Sequence, residues 1–254
     1  MDLILARQTA AGSGASLQDR IRIAVEQEIL SGSWPPGSAI DEKALAAQFK
    51  TSRTPVREAL LVLATQGLVQ IAPRSGIYVR KATPAELVAT LEALSELESI
   101  VASLAARRAT GEQCKELEAA LVKASGFAEA QDRRGYEKAN AVLHELIYKA
   151  SGNPVLVEHV RSVRRTLAAY RQRSMDKPGR LKASDKEHRT IVQAIRDGDA
   201  AAAARAMHQH IDLGGDAMVQ LVLAAQTTAE TLSSNPTAAQ PTPPPAAKKR
   251  KPRK

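Results

Sequence analysis

The chain is poor in the residues that staple small secreted folds or fill aromatic cores. It has 254 residues, one cysteine (Cys114) and an aromatic content of 3%. A single thiol excludes an intramolecular disulfide and fits a reducing cytosol, so a cytoplasmic location is expected. Cys114 itself reads as an ordinary helix residue. Long hydrophobic runs are also missing. The longest, Met218–Ala225, is too short to cross a bilayer and is interrupted by Gln220, so neither a membrane span nor a signal peptide is expected. From Thr83 onward no alternating strand pattern occurs, which leaves helices to build that part of the chain.

What is present is basic charge, unevenly spread. The formal net charge is +9. Residues 16–82 hold nine Lys/Arg against six Asp/Glu, and the stretch from Gln226 holds six against one. The middle of the chain is therefore close to neutral, as a solvated helical domain would be. These shifts divide the chain into an Ala/Gly/Ser-rich arm (1–15), a basic domain (16–82), a helical domain (83–225) and a Thr/Ala/Pro-rich tail (226–254). The tail ends in Lys248-Lys249-Arg250-Lys251-Pro252-Arg253-Lys254, a composition that does not order itself and suits non-specific contact with DNA better than a nuclear address, with a solvated tail of no role equally open. At this length both domains can bury a core.

The run Thr51-Ser52-Arg53-Thr54-Pro55-Val56-Arg57-Glu58-Ala59-Leu60 carries the most information. Thr54-Pro55 reads as a helix start. Arg53 and Arg57, four apart, project from one face, while Val56, Leu60, Leu61, Leu63 and Ala64 form the apolar back. Guanidinium groups on such a helix suit guanine edges and phosphates in a major groove. An apolar-periodic helix over 17–31 and a short helix after Asp41 precede it. Leu68-Val69-Gln70-Ile71 and Ile77-Tyr78-Val79-Arg80 flank Ala72-Pro73-Arg74-Ser75-Gly76 and predict a β-hairpin with a basic tip. The order predicts a winged helix-turn-helix.

The second domain reads as an all-α antiparallel bundle of about six helices, so the fold class is mostly α. All five histidines lie in it. Asn140 and His144 share a helix face, and His188 and His210 belong to two further helices. One imidazole from each helix, with an amide oxygen, is a donor set for zinc, nickel or another divalent transition ion. Three dispersed histidines are more often surface or satisfied core residues, so spacing alone does not select the metal. His208, two residues from His210, and His159 read as structural.

With these motifs in view, the N-terminal part resembles the GntR family of bacterial transcription regulators. The matching residues are Ile29-Leu30-Ser31-Gly32, Pro36-Gly37, Leu45-Ala46, Ser52 to Leu60 and Gly67-Leu68-Val69. The second domain resembles the FadR-type effector domain, called FCD. It does so through Leu143-His144-Glu145-Leu146, Ala150-Ser151-Gly152-Asn153-Pro154, Glu187-His188-Arg189, Ala194 to Asp199 and His210-Ile211. The resemblance implies a homodimeric regulator, with repression the expected direction. Such a protein binds operator DNA and responds to a small carboxylate or sugar acid. It implies a divalent metal ion, zinc first with nickel or manganese as alternatives, held by Asn140, His144, His188 and His210. It also implies DNA contacts from Lys43, Arg53, Thr54, Arg57, Arg74, Ser75 and Gly76. The chain departs from the family pattern at Asn140, where many relatives have Asp. Leu94 and Ser95 occupy the zone one turn before Glu98, where many have a carboxylate-clamping Arg.

Two other classes compete. A metal-dependent hydrolase would use the histidines to activate water, but no H-E-x-x-H-like base accompanies them. An architectural DNA binder driven by the basic tail would lack operator specificity.

Overall fold

Short polar side chains set most of the helix starts. Ser16, Asp41, Thr83, Thr110 and Asp132 each accept a backbone N–H two or three residues on, and Thr83–Glu86 and Thr110–Gln113 close full capping boxes. The computed structural model describes residues 16–175, 177–212 and 214–215. The expectations for the arm 1–15 and the tail 226–254, and the run Met218–Ala225, lie outside the described residues.

The first unit runs α1 (Leu17–Leu30), α2 (Glu42–Gln48), α3 (Arg53–Thr65), β1 (Val69–Ala72) and β2 (Gly76–Val79). Its core joins Ile21, Val25 and Ile29 of α1 to Val56, Ala59, Leu60 and Leu63 of α3, all at or near zero exposure. Each large side chain withdrawn in this way contributes about 1.5–3 kcal/mol. Leu61, expected on the apolar back of α3, is instead 54% exposed, and Ala59 takes its place inside. The helical period explains the swap, since 56, 59, 60 and 63 form one stripe and 61 leaves it. α3 begins at Arg53, as the expected helix over Arg53–Gln66 does, but Ser52 occupies the cap position without a side-chain hydrogen bond, so Thr54, read as a cap, lies inside the first turn.

The strands pair antiparallel with Val69 opposite Val79 and Ala72 opposite Gly76. At the tip the Ser75 N–H donates to Ala72 O at 3.1 Å, with Pro73 second and Arg74 third in the turn at φ +64°. That is type II geometry, which favours glycine at the third position, yet the chain places an arginine there.

The second unit is a bundle of α4 (Pro84–Arg108), α5 (Gly111–Glu129), α6 (Arg133–Ser151), α7 (Pro154–Ser174), α8 (Arg180–Arg196) and α9, described over 200–212 and 214–215. The long α4 packs on α6, α7 and α8, while α5 packs on α6 and α8. A continuous aliphatic core runs through Leu87, Leu94, Val101, Leu117, Leu143, Ile147, Leu167, Ile191, Ile195 and Met207. The two units meet along α7, which packs on α1; the Tyr170 hydroxyl accepts the Ala82 N–H at 2.8 Å. The protein is thus mostly α, a winged helix-turn-helix followed by a helical bundle. Among the described residues no helix is long and apolar enough to cross a membrane.

Candidate metal centre and DNA interface

Every residue expected to meet DNA is exposed: Lys43, Arg53, Thr54, Arg57, Arg74, Ser75 and Gly76. Lys43 stands in the first turn of α2. Arg53 and Arg57 project from α3, where Arg57 Nε donates to Glu42 Oε1 at 3.0 Å. The wing tip is stiffened from within, because the Tyr78 hydroxyl donates to Ser75 O at 2.9 Å.

The histidines converge inside the bundle. α6 supplies His144, α8 supplies His188 and α9 supplies His210, and one nitrogen from each lies within 4.8 Å of the others. Ring centroids are 4.4 Å apart for His188–His210, 5.3 Å for His144–His188 and 5.5 Å for His144–His210. Each Nδ1 is occupied by its own partner: Glu98 Oε2 for His144 (3.1 Å), the Tyr136 hydroxyl for His188 (3.2 Å) and Glu187 Oε2 for His210 (2.6 Å). An Nδ1–H directed outward leaves the Nε2 lone pair facing the centre, as outer partners do for metal-binding histidines.

Electrostatics favours neutral rings. Burial, with Arg164 adding to it, holds the pKa of His144 down to about 3. Burial, reinforced by the other two histidines, pushes His188 well below its ordinary value. Burial also lowers His210, with Glu187 opposing. Neutral imidazole is the form that ligates. Behind the rings, burial raises the carboxyl pKa of Glu98, but the neighbouring guanidinium of Arg164, together with His144 and the Tyr148 hydroxyl, outweighs it and keeps the group ionised. Arg164 is the charge that matters, because a ring titrating near pH 3 is uncharged at neutrality. Arg164 Nη1 lies on Glu98 Oε1, the Tyr148 hydroxyl and, at 2.8 Å, His144 Nδ1. When that nitrogen carries the proton given to Glu98, Arg164 bonds only the two oxygens. Around His210, burial raises Glu187, but hydrogen bonds from His210 and Arg180 outweigh it and keep Glu187 ionised.

The donor set fits a divalent ion on two observations. His144 Nε2 and His188 Nε2 are 3.4 Å apart. That is about the 3.4 Å edge of a tetrahedron built from bonds of about 2.1 Å, whereas two facing lone pairs alone would repel. Second, Asn140 Oδ1 is buried without a hydrogen-bond partner, one turn before His144. An orphaned amide oxygen at such a position has a free lone pair to offer a cation, and leaving it unpaired costs about 1–3 kcal/mol. A cavity of about 240 Å³ opens beside this cluster, lined by Asn140, His144, Tyr148 and Arg164 with Glu137, Glu145, Ala141, Ala168 and Met175.

Comparison with known proteins decides what kind of molecule carries this site. Residues 17–79 match the model for bacterial regulatory proteins of the gntR family, and residues 89–213 match the FCD domain. The chain is 30% identical over 197 residues to the probable D-xylose utilization operon transcriptional repressor of Paenarthrobacter nicotinovorans, covering 77% of this chain and 86% of that one. The chain belongs to the GntR family.

A second relative, the galactonate operon transcriptional repressor of Escherichia coli K12, is 29% identical over 208 residues, spanning 72% of this chain and 89% of its own. Among solved structures, E. coli McbR/YncC superposes with a TM-score of 0.71 at 22% identity, over 82% of this chain and 99% of that one, which supports the fold. As a GntR-family protein with an FCD domain, the chain is a DNA-binding transcriptional regulator and not an enzyme. The hydrolase alternative falls on this assignment.

The structure brings Asn140, His144, His188 and His210 into one neighbourhood. It leaves His208 on the far side of α9, 44% exposed at its side chain, bonded to Asp212 and facing Glu96. Leu94 is buried, and Ser95 donates to Asp212. The cation beside Glu98 comes instead from α7, as Arg164. The sequence allows Arg161, Arg164 and Arg165 to line a pocket, with a solvated or dimer-interface role at least as open, and of the three Arg164 lines the cavity. Tyr136, Tyr148 and Glu187 were not singled out from sequence as parts of this site. Their pairings, and that of Arg164 with Glu98, join residues 16 to 66 positions apart, and no local spacing announces them.

Proposed function

We propose that this regulator is a homodimeric, metal-dependent sensor of small carboxylates that represses transcription by holding operator DNA. Asn140, His144, His188 and His210 would hold the ion, zinc being the best match to a nitrogen-rich, closely spaced donor set. The observation that carries the reading is the juxtaposition of the 3.4 Å histidine pair with the orphaned Asn140 oxygen at the wall of a cavity. A bound divalent ion supplies a Lewis-acidic anchor for a carboxylate.

The residues of the chain do the rest. Arg164 presents a guanidinium to the cavity, Glu98 and Tyr148 fix its position, and Met175, Ala141 and Ala168 limit what fits. The relatives named for D-xylose utilization and for galactonate favour a polyhydroxylated acid. On the DNA side, Arg53 and Arg57 read base edges, Lys43 and Thr54 hold phosphate, and Arg74-Ser75-Gly76 form the wing contact. A cytoplasmic protein of this kind needs two such faces to read a pseudo-palindrome.

Control requires that the acid bind one arrangement of the dimer better than the other. Operator binding measured by fluorescence anisotropy, with a panel of hydroxy and sugar acids in the presence and absence of zinc, tests the proposal. At least one acid is expected to release DNA only when metal is present. Release by the same acid from a His144→Ala/His188→Ala protein would refute the metal-dependent reading.

A further inference from the structure

The two arginines on the exposed face of α3 are not equivalent. Among the described residues Arg53 has no ion pair, whereas Arg57 Nε is tied to Glu42 Oε1 at 3.0 Å. Glu42 is the better anchored partner: its side chain is 21% exposed against 71% for Arg57. It stands at the first position of α2, directly after Asp41, whose side chain accepts the Lys43 and Ala44 amides and so fixes that end of the helix. The packing of α2 on α3 holds the two backbones together across fifteen residues of sequence.

A guanidinium offers two forks for a base edge: Nε–H with one Nη–H from the side, or one N–H from each Nη nitrogen end-on. Occupation of Nε by Glu42 closes the side fork and leaves the end-on fork, which matches the O6/N7 pair of guanine. An exposed ion pair adds little to stability, so its presence on the reading face is better explained by direction than by energy. Its charge works against general affinity, since a carboxylate near the backbone repels phosphate.

We propose that Glu42 is a positioning residue for sequence reading: it holds Arg57 in the end-on orientation and sets discrimination at one base pair while weakening non-specific binding. The inference rests on α3 being the reading helix. Glu42 acts through Arg57 and need not touch DNA.

The test uses full-length wild type, Glu42→Gln, Arg57→Ala and the double variant, with an operator selected by the wild-type protein from a random-sequence duplex pool. Affinities for that operator and for each single-base-pair replacement are measured at several salt concentrations. The base pair at which Arg57→Ala loses its preference marks the site Arg57 reads. Glu42→Gln is expected to lose about tenfold in discrimination at that base pair and to keep the others. It is also expected to bind random duplex as tightly as wild type or tighter. In the double variant Glu42→Gln adds no further loss of discrimination to Arg57→Ala, because both act through one contact. Unchanged discrimination in Glu42→Gln, an equal loss at every position, or an additive loss in the double variant would overturn the proposal. If the wild-type protein selected no sequence at all, the premise of a reading helix would fail, a result distinct from these.

Discussion

Replacing Arg164 with methionine separates a buried ion pair from ordinary packing. Glu98 is fully buried and Arg164 has 13% of its side chain exposed, so neither charge can fall back on bulk water. Removing the guanidinium leaves a carboxylate with only the Tyr148 hydroxyl and the His144 imidazole as donors. Breaking one side of such a pair costs about 3–5 kcal/mol. For a unit of this size each kcal/mol moves the midpoint about 2–4 °C, which places the expected fall in Tm between roughly 6 and 20 °C. The double variant Glu98→Gln/Arg164→Met removes the orphaned charge and is expected to recover at least half of the loss. Thermal unfolding by circular dichroism of metal-free protein reads both. A single Arg164→Met variant with an unchanged midpoint would refute the burial argument, and so would a double variant less stable than the single one.

Three other outcomes follow from the same geometry. His144, His188 and His210 all have folded pKa values below the unfolded value, so the unfolded chain binds more protons as pH falls. Metal-free protein is therefore expected to hold full stability above about pH 6.5 and to lose up to about 1.4 kcal/mol per histidine per pH unit below it, for His144 down to about pH 3. Urea midpoints that agree at pH 7 and pH 5 would contradict this. Asn140→Asp places a carboxylate where the neutral oxygen stands, and zinc affinity against a chelating dye is expected to rise on the order of tenfold; an unchanged affinity would remove Asn140 from the donor set. Arg74→Gly relieves a left-handed residue that costs about 1–2 kcal/mol, so the variant should unfold at higher urea yet bind operator more weakly. Equal or tighter operator binding would exclude Arg74 from the wing contact.

The local parts of the molecule were legible in the sequence because their signals are local. Thr83-Pro84 and Thr110 announced helix starts that the structure closes with capping boxes. The hairpin was placed within one residue at each strand, and Gly76 pairs where the tip turns. The start of α3 at Arg53 was legible, but Thr54 misled as its cap because a hydroxyl before proline looks like one, while Ser52 holds that position. Leu61 misled because a run of leucines hides which one leaves the buried stripe. The three histidines could be named but not brought together by spacing, since they come from three helices. Glu98 left a readable trace: it falls in the buried series Leu87, Leu91, Leu94, Val101, Ala102 and Ala105 of α4. A carboxylate on such a stripe demands a buried cation. Which arginine answers depends on how α7 packs against α4, and no single-helix pattern contains that.

The metal content of the purified protein bears most directly on the sensor reading. Full-length wild type and His144→Ala/His188→Ala protein, prepared without chelator and dialysed against metal-free buffer, are compared by elemental analysis. The wild type is expected to retain close to one divalent ion per chain and the variant close to none. Equal content in the two proteins, or none in either after incubation with zinc, would contradict a metal centre built from these histidines.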